Sequence, residues 1–335
     1  MPRYILHIGP HKTGTSYLQV LFRDLTSQLQ SRGILYPPQW QAEFVLGHAA
    51  LARRLQEGAD QKLRSEFDQV NASGSDIVLI SAEDLSNLST EQLATLRDCI
   101  GGYPVTVVFY CRRWLELLPS VWQELVKHGR TFNLPEFAAL QLVNPFESLP
   151  LNYARTLDKY AAVFARDNVC LVSYSNIVDA GGNIAEHFFR EFLSWQDAPV
   201  ARKVRINASL SLFDTEMIRI LNAMWATHGE AADASVRDRY LNMKGDLDLG
   251  TPRAAMERHG ASLPLDENAP GLRRMQDDIF EQYGDRLLPP RAERSFFARR
   301  KGGLKYIDSN YLLEPGVLEA IGAIDARLVM APGCS

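Results

Sequence analysis

Four short runs of apolar, β-favouring residues punctuate the first half of the chain: Tyr4 to Ile8, Ile77 to Ile80, Val105 to Tyr110 and Val169 to Val172. They are apolar almost throughout rather than at alternate positions, the pattern of strands buried on both faces. Between them the period changes. Leu18, Leu21, Phe22, Leu25 and Leu29 recur at helical spacing and predict a helix that stops by Gly33. Similar spacing predicts helices over 114–128, 152–166 and 182–194. Strands alternating with helices predict an α/β fold, a parallel β-sheet flanked by helices. Beyond about residue 205 the pattern turns helical and irregular. Ser211 with Asp214 reads as a capping box ahead of Met217, Ile220, Leu221 and Met224. Residues 229–290 are polar and read as loop-rich. No internal repeat or low-complexity linker interrupts the chain, so a single domain over 1–330 is expected, with a helical C-terminal part.

Composition narrows the function classes. With 335 residues, 46% hydrophobic and 23% charged, the chain can bury a large core without disulfides or metals. Cys99, Cys111, Cys170 and Cys334 are scattered with no CxxC spacing, which speaks against a disulfide scaffold or a zinc ribbon. A net charge of −4 and a pI near 6.0 speak against a protein that coats nucleic acid. No apolar run reaches the length of a membrane span, and Arg3 leads straight into a strand with no signal-peptide core. A soluble, cytoplasmic protein is expected.

The segment Gly9-Pro10-His11-Lys12-Thr13-Gly14-Thr15-Ser16 joins the first strand to the first helix. Backbone amides and the positive end of a helix dipole meet there, which makes an anion site. Against the Walker pattern GxxxxGK[ST], the glycines and Ser16 are in place, but Thr15 stands where the lysine belongs and the lysine has moved forward to Lys12. The dinucleotide fingerprint GxGxxG also fails, because His11 replaces the second glycine. An ordinary glycine turn is the plain alternative. Loop, lysine, hydroxyls and flanking elements together favour an anion site.

At these residues the chain resembles the sulfotransferases that use 3′-phosphoadenosine 5′-phosphosulfate (PAPS), particularly their bacterial members. His7-Ile8-Gly9-Pro10-His11-Lys12-Thr13-Gly14-Thr15-Ser16 looks like their P-loop-like phosphosulfate loop. The resemblance implies PAPS as co-substrate, bound by His11, Lys12, Thr13, Gly14, Thr15 and Ser16 with no obligatory metal. It also implies that Arg112, at a strand end, and Ser120, eight residues on, hold the 3′-phosphate. A guanidinium suits a terminal phosphate because its fork donates two hydrogen bonds. Arg113 is a second arginine beside it, and Pro119 either kinks the following helix or marks a later start. Arg300-Lys301-Gly302 matches the family's third nucleotide element, although a solvated basic face would read the same way.

The implied activity is sulfuryl transfer from PAPS to a hydroxyl or amine, most naturally on a carbohydrate-type small molecule or glycan, with about 205–290 on the acceptor side. Neither nucleic acid nor a membrane span is implied. Lys12 is the group to neutralise the leaving phosphate. The strand Ile77–Ile80 runs into Ser81-Ala82-Glu83-Asp84, the chain position where the family keeps its proton acceptor. Glu83 is the candidate base, with Asp84, His11 and His48 behind it; helix capping is the plain alternative for the two acids. His48 reads as a satisfied structural histidine and Trp114 and Trp122 as core. Two other readings compete: a P-loop kinase or NTPase, disfavoured by the displaced lysine, and a non-catalytic nucleotide-binding module.

Overall fold

The computed structural model describes residues 2–41, 46–200, 210–228, 234–266, 268–290, 292, 294–296 and 303–330. The strands in chain order are β1 (Arg3–His7), β2 (Ile34–Leu35), β3 (Ile77–Ser81), β4 (Val105–Cys111), β5 (Val169–Ser173), β6 (Gly260–Leu263), β7 (Leu287–Leu288) and β8 (Leu304–Ile307). The chain divides into two compact units. The first comprises Met1–Arg113, Asn152–Ile206 and Arg274–Phe296, and the second comprises Trp114–Leu151, Asn207–Arg273 and Phe297–Ser335.

The first unit is built on a six-stranded sheet in the order β2-β3-β1-β4-β5-β7, and every pair in it is parallel. The four strands expected from the apolar runs are its β1, β3, β4 and β5. Parallel strands covered on both faces need apolar residues at successive positions, and Val78, Leu79 and Ile80 are all fully buried. On one face, Leu18, Leu21 and Phe22 of the helix Thr15–Asp24 and Phe188, Phe189 and Phe192 of the helix Ile184–Leu193 pack on Ile5, Leu79, Val108 and Val172. Burying each of these large side chains contributes about 1.5–3 kcal/mol. On the other face the helix Ala154–Phe164 lies against β4 and β5.

The chain first moves from β1 outward to β2 and back through β3, then crosses to β4 on the opposite side of β1. That reversal makes β1 a topological switch point, and ligands of open parallel sheets bind at the carboxyl ends of the strands there. All three strand ends carry candidate residues.

Three details depart from the sequence pattern. The first helix breaks at Leu25 into Thr15–Asp24 and Thr26–Gln30, where φ −98° and ψ 13° leave the helical region. The edge strands β2 and β7 have two residues each, too short to show any period. Residues 229–290, read as loop-rich, contain the helices Ala234–Met243, Gly250–Arg258 and Pro270–Tyr283. Polar and charged residues surround the buried positions and hide the pattern; Val236 and Tyr240 are the buried residues of the first.

The second unit is largely helical, with β6 and β8 paired antiparallel. Ser211 caps the helix Leu212–Thr227 by accepting from the Asp214 amide at 3.0 Å, as expected. A buried Glu216–Arg219 ion pair lies within this helix at 2.6 Å, and Tyr311 donates to the same carboxylate at 3.0 Å.

Candidate functional site at the carboxyl ends of three central strands

The loop after β1 leaves the sheet at Gly9, whose carbonyl still accepts from the Tyr110 amide at 3.1 Å. The Gly9–Pro10 peptide is cis, and Lys12 has φ 70°. Thr13 is fully buried and its hydroxyl donates to the Pro10 carbonyl at 2.7 Å, so it braces the loop from within. Gly14 ends the loop as the N-cap of the helix Thr15–Asp24, at φ 81°. That left-handed conformation favours glycine, and a Cβ here would sit 2.2 Å from Ile184 Cδ1, so the isoleucine side chain would have to shift. The first-turn amides of a helix have no acceptor within it, and no acidic residue of this first turn offsets their positive end. Thr15 is buried and Ser16 half-buried.

Arg112 follows β4 and is tied to this loop. Its Nη1 donates to the Lys12 carbonyl at 2.9 Å across a hundred residues of sequence. The guanidinium lies over the Tyr174 ring, 5.3 Å from its centroid, within the usual reach of a cation–π contact. The Tyr153 hydroxyl accepts from the Arg112 amide at 3.3 Å and donates to its carbonyl at 2.5 Å. Neither tyrosine is recognisable from the sequence pattern. Arg113 faces elsewhere: it is buried, its Nη1 pairs with Asp179 at 2.6 Å, and its amide donates to Ser175 Oγ at 3.1 Å. Ser120 lies half-buried on the helix Trp114–Lys127 of the second unit, which runs through Pro119 without a break. Trp114 and Trp122 are buried, and their indole N–H groups donate to the carbonyls of Leu151 and Phe132 at 3.1 and 3.0 Å. Arg300, Lys301 and Gly302 lie outside the described residues.

Glu83 opens the short 3₁₀ turn Glu83–Asn87 just after β3. Its side chain caps nothing; it forms an ion pair with His11 Nδ1. Its backbone abuts the loop, since a Cβ on Gly9 would be 3.3 Å from Glu83 Cα. Hydrogen bonding to Glu83 raises the pKa of His11 above its ordinary 6.5; burial opposes the shift, the charges of Glu83 and Asp84 add to it, and Lys12 lowers it. The structure therefore brings His11, Lys12, Glu83 and Arg112 to one place in the first unit. Among the described residues, no group of three or more His, Cys, Asp and Glu is placed to hold a metal. No helix among them is long and apolar enough to cross a membrane.

His48 is a structural residue. It is fully buried, its Nδ1 accepts from the Ser81 amide at 3.0 Å, and its Nε2 pairs with the Pro37 carbonyl at 2.9 Å. Those partners require the neutral ring, because an imidazolium has no acceptor for the Ser81 amide. Burial accordingly pulls its pKa down to about 4. His7, also buried and 2.8 Å from Ser81 Oγ, is pulled down to about 3 by the same cause. The unfolded chain then takes up these protons first as pH falls below 6.5. Stability is complete above that value and declines as pH drops toward the folded pKa. For His48 alone the loss between pH 7 and pH 5 should be about 2 kcal/mol. Urea unfolding at the two pH values checks it: the loss should shrink by that amount in His48→Gln, and an unchanged loss would refute it.

No family model matches this chain, and no curated protein matches it. Among solved structures the chain is similar to the crystal structure of a sulfotransferase from Alicyclobacillus acidocaldarius. The two share 17% identity over 69% of this chain and 96% of that one, with a TM-score of 0.39.

Proposed function

We propose that the protein transfers a sulfuryl group from PAPS to a hydroxyl of a carbohydrate-type acceptor. The observation that carries this reading is the pairing of the loop with Arg112: a cation at the end of β4 is joined to the carbonyl of Lys12 at the end of β1. One arm then serves a 5′-phosphosulfate through the loop amides, the Lys12 ammonium and the Ser16 hydroxyl. The other serves the 3′-phosphate through the guanidinium. A nucleotide with phosphates at both ribose ends matches two linked cationic centres. A nucleoside triphosphate would instead stack its charge at one end and call for the lysine that Thr15 replaces.

In the reaction, the acceptor oxygen attacks sulfur in line with the bond to the bridging phosphate oxygen. Lys12 compensates the charge that collects on that oxygen as the bond breaks. The Glu83–His11 pair, beside the loop, supplies the basicity that acceptor deprotonation needs.

Calorimetry tests the reading. The product 3′-phosphoadenosine 5′-phosphate should bind without magnesium. Deleting its 3′-phosphate should weaken binding by about 1.5–3 kcal/mol, the scale of a charged hydrogen bond. In Arg112→Ala that penalty should largely vanish. ATP with magnesium binding as well or better would overturn the proposal. Radiolabelled PAPS offered with sugars, lipids and small alcohols would then identify the acceptor.

A further inference from the structure

We infer that His11 Nε2 takes the proton of the acceptor hydroxyl and that Glu83 acts through His11 as its positioning partner. The inference rests on the sulfotransferase reading and settles which of two neighbouring groups meets the acceptor.

The geometry separates the two members of the pair. Glu83 has engaged Oε2 with His11 Nδ1, and its side chain is 18% exposed, whereas that of His11 is 56% exposed. His11 is the outward member. With Nδ1 on the carboxylate, Nε2 is the ring nitrogen without a protein partner among the described residues. A carboxylate on Nδ1 holds the neutral ring in the tautomer whose Nε2 lone pair is open, and it stabilises the imidazolium once formed.

Glu83 is also well fixed for a positioning role. The Ala82 amide before it donates to the His7 carbonyl at 3.1 Å, extending the β1–β3 pairing. Behind it, the helix Ala154–Phe164 grips the 3₁₀ turn: Tyr160 donates to the Leu85 carbonyl at 2.9 Å, and Lys159 donates to those of Ser86 and Leu88 at 3.0 and 2.8 Å. These bonds anchor the backbone that aims the carboxylate, while the loop carries His11 next to Lys12.

The chemistry balances. The acceptor O–H bond breaks and its proton forms a bond to Nε2. The oxygen lone pair forms the new O–S bond, and the electrons of the old S–O bond pass to the bridging oxygen of 3′-phosphoadenosine 5′-phosphate, beside Lys12. The imidazolium then returns its proton to water. Imidazole also matches neutral pH better than a carboxylate does as a proton acceptor. Glu83, Asp84 and Lys12 are the charged groups facing His11, and their balance holds the ring above its ordinary pKa. Activity should therefore rise with pH through a limb above 6.5.

The test combines pH–rate profiles with an NMR titration of the His11 ring. In the wild type, both should report a value above 6.5. Glu83→Gln should keep the limb but move it, and the ring titration, to lower pH, with turnover down by up to about 10⁴-fold, the scale of losing a carboxylate that sets an imidazole's tautomer. His11→Gln should abolish the limb and lower turnover by about 10²–10⁴-fold. Added imidazole should restore part of the activity of His11→Ala. If Glu83→Gln loses the limb while His11→Gln retains it, the carboxylate meets the acceptor directly and the inference falls. It falls equally if His11→Ala runs at full speed. The titration needs no turnover: an ordinary His11 value in the wild type would overturn the pairing by itself. Absence of both turnover and product-nucleotide binding in the wild type would instead overturn the sulfotransferase reading, and the proton role with it.

Discussion

Lys12→Ala should lower turnover by about 10²–10³-fold, the usual cost of removing one group aimed at developing charge. Affinity for 3′-phosphoadenosine 5′-phosphate should fall far less. The asymmetry follows from where the charge is. On the proposed reaction, the product's phosphate would already be solvated and held by loop amides. In the proposed transition state its bridging oxygen would gain charge, and an ammonium beside it would interact most strongly at that moment. The substitution leaves the loop's frame in place, because Arg112 bonds the backbone carbonyl of residue 12 rather than its side chain. Thr13 still braces the loop to Pro10. Steady-state rates and calorimetry on the one variant decide the matter: unchanged turnover would place the Lys12 side chain outside the reaction.

Gly47→Ala should cost about 2–5 kcal/mol of folding stability, combining left-handed backbone strain with overpacking against a group that cannot yield. Gly47 sits at φ 71°, and a Cβ there would lie 2.5 Å from the Ser81 carbonyl oxygen and 2.8 Å from the Gln19 side chain. The Ser81 carbonyl also accepts from the His48 amide at 2.8 Å, so moving it loosens the end of β3 just ahead of Glu83. Gly74 is the control: it has φ 75° but nothing within 4 Å of its Cβ position. Gly74→Ala should cost only the strain, about 1–2 kcal/mol. Urea unfolding of both variants separates the contributions, and equal losses would show that the contact with Ser81 is not the cause.

The fold was legible where burial leaves a one-dimensional trace. A strand covered on both faces has no room for charged side chains at several successive positions, so Val78 to Ile80 and Val107 to Tyr110 announce themselves. The loop was legible because glycine, lysine and hydroxyl residues between a strand and a helix are a local arrangement. The helix Pro270–Tyr283 was missed although Leu272, Met275, Ile279 and Tyr283 are buried at helical spacing, because charged residues fill the positions between them. The edge strands had too few residues to carry a pattern.

Among the candidate bases, local sequence could name Glu83, Asp84, His11 and His48 but could not sort them. His48 is withdrawn from that set by the Ser81 amide and the Pro37 carbonyl, neither of which is predictable from the residues around it. Arg112 and Arg113 are neighbours in sequence with opposite fates, one reaching the loop and the other pairing with Asp179.

The sequence by itself determined the alternation of strands and helices, the glycine loop after the first strand and the set of residues able to carry charge or protons. All of these rest on interactions within a few residues or on the periodicity of burial. Only the tertiary structure decided that His11 meets Glu83, that Lys12 meets Arg112 and that Tyr153 and Tyr174 hold the arginine. Those contacts join segments far apart along the chain, most of them at the ends of strands that are neighbours in the sheet. Their selection depends on strand order, which burial patterns within single segments do not encode.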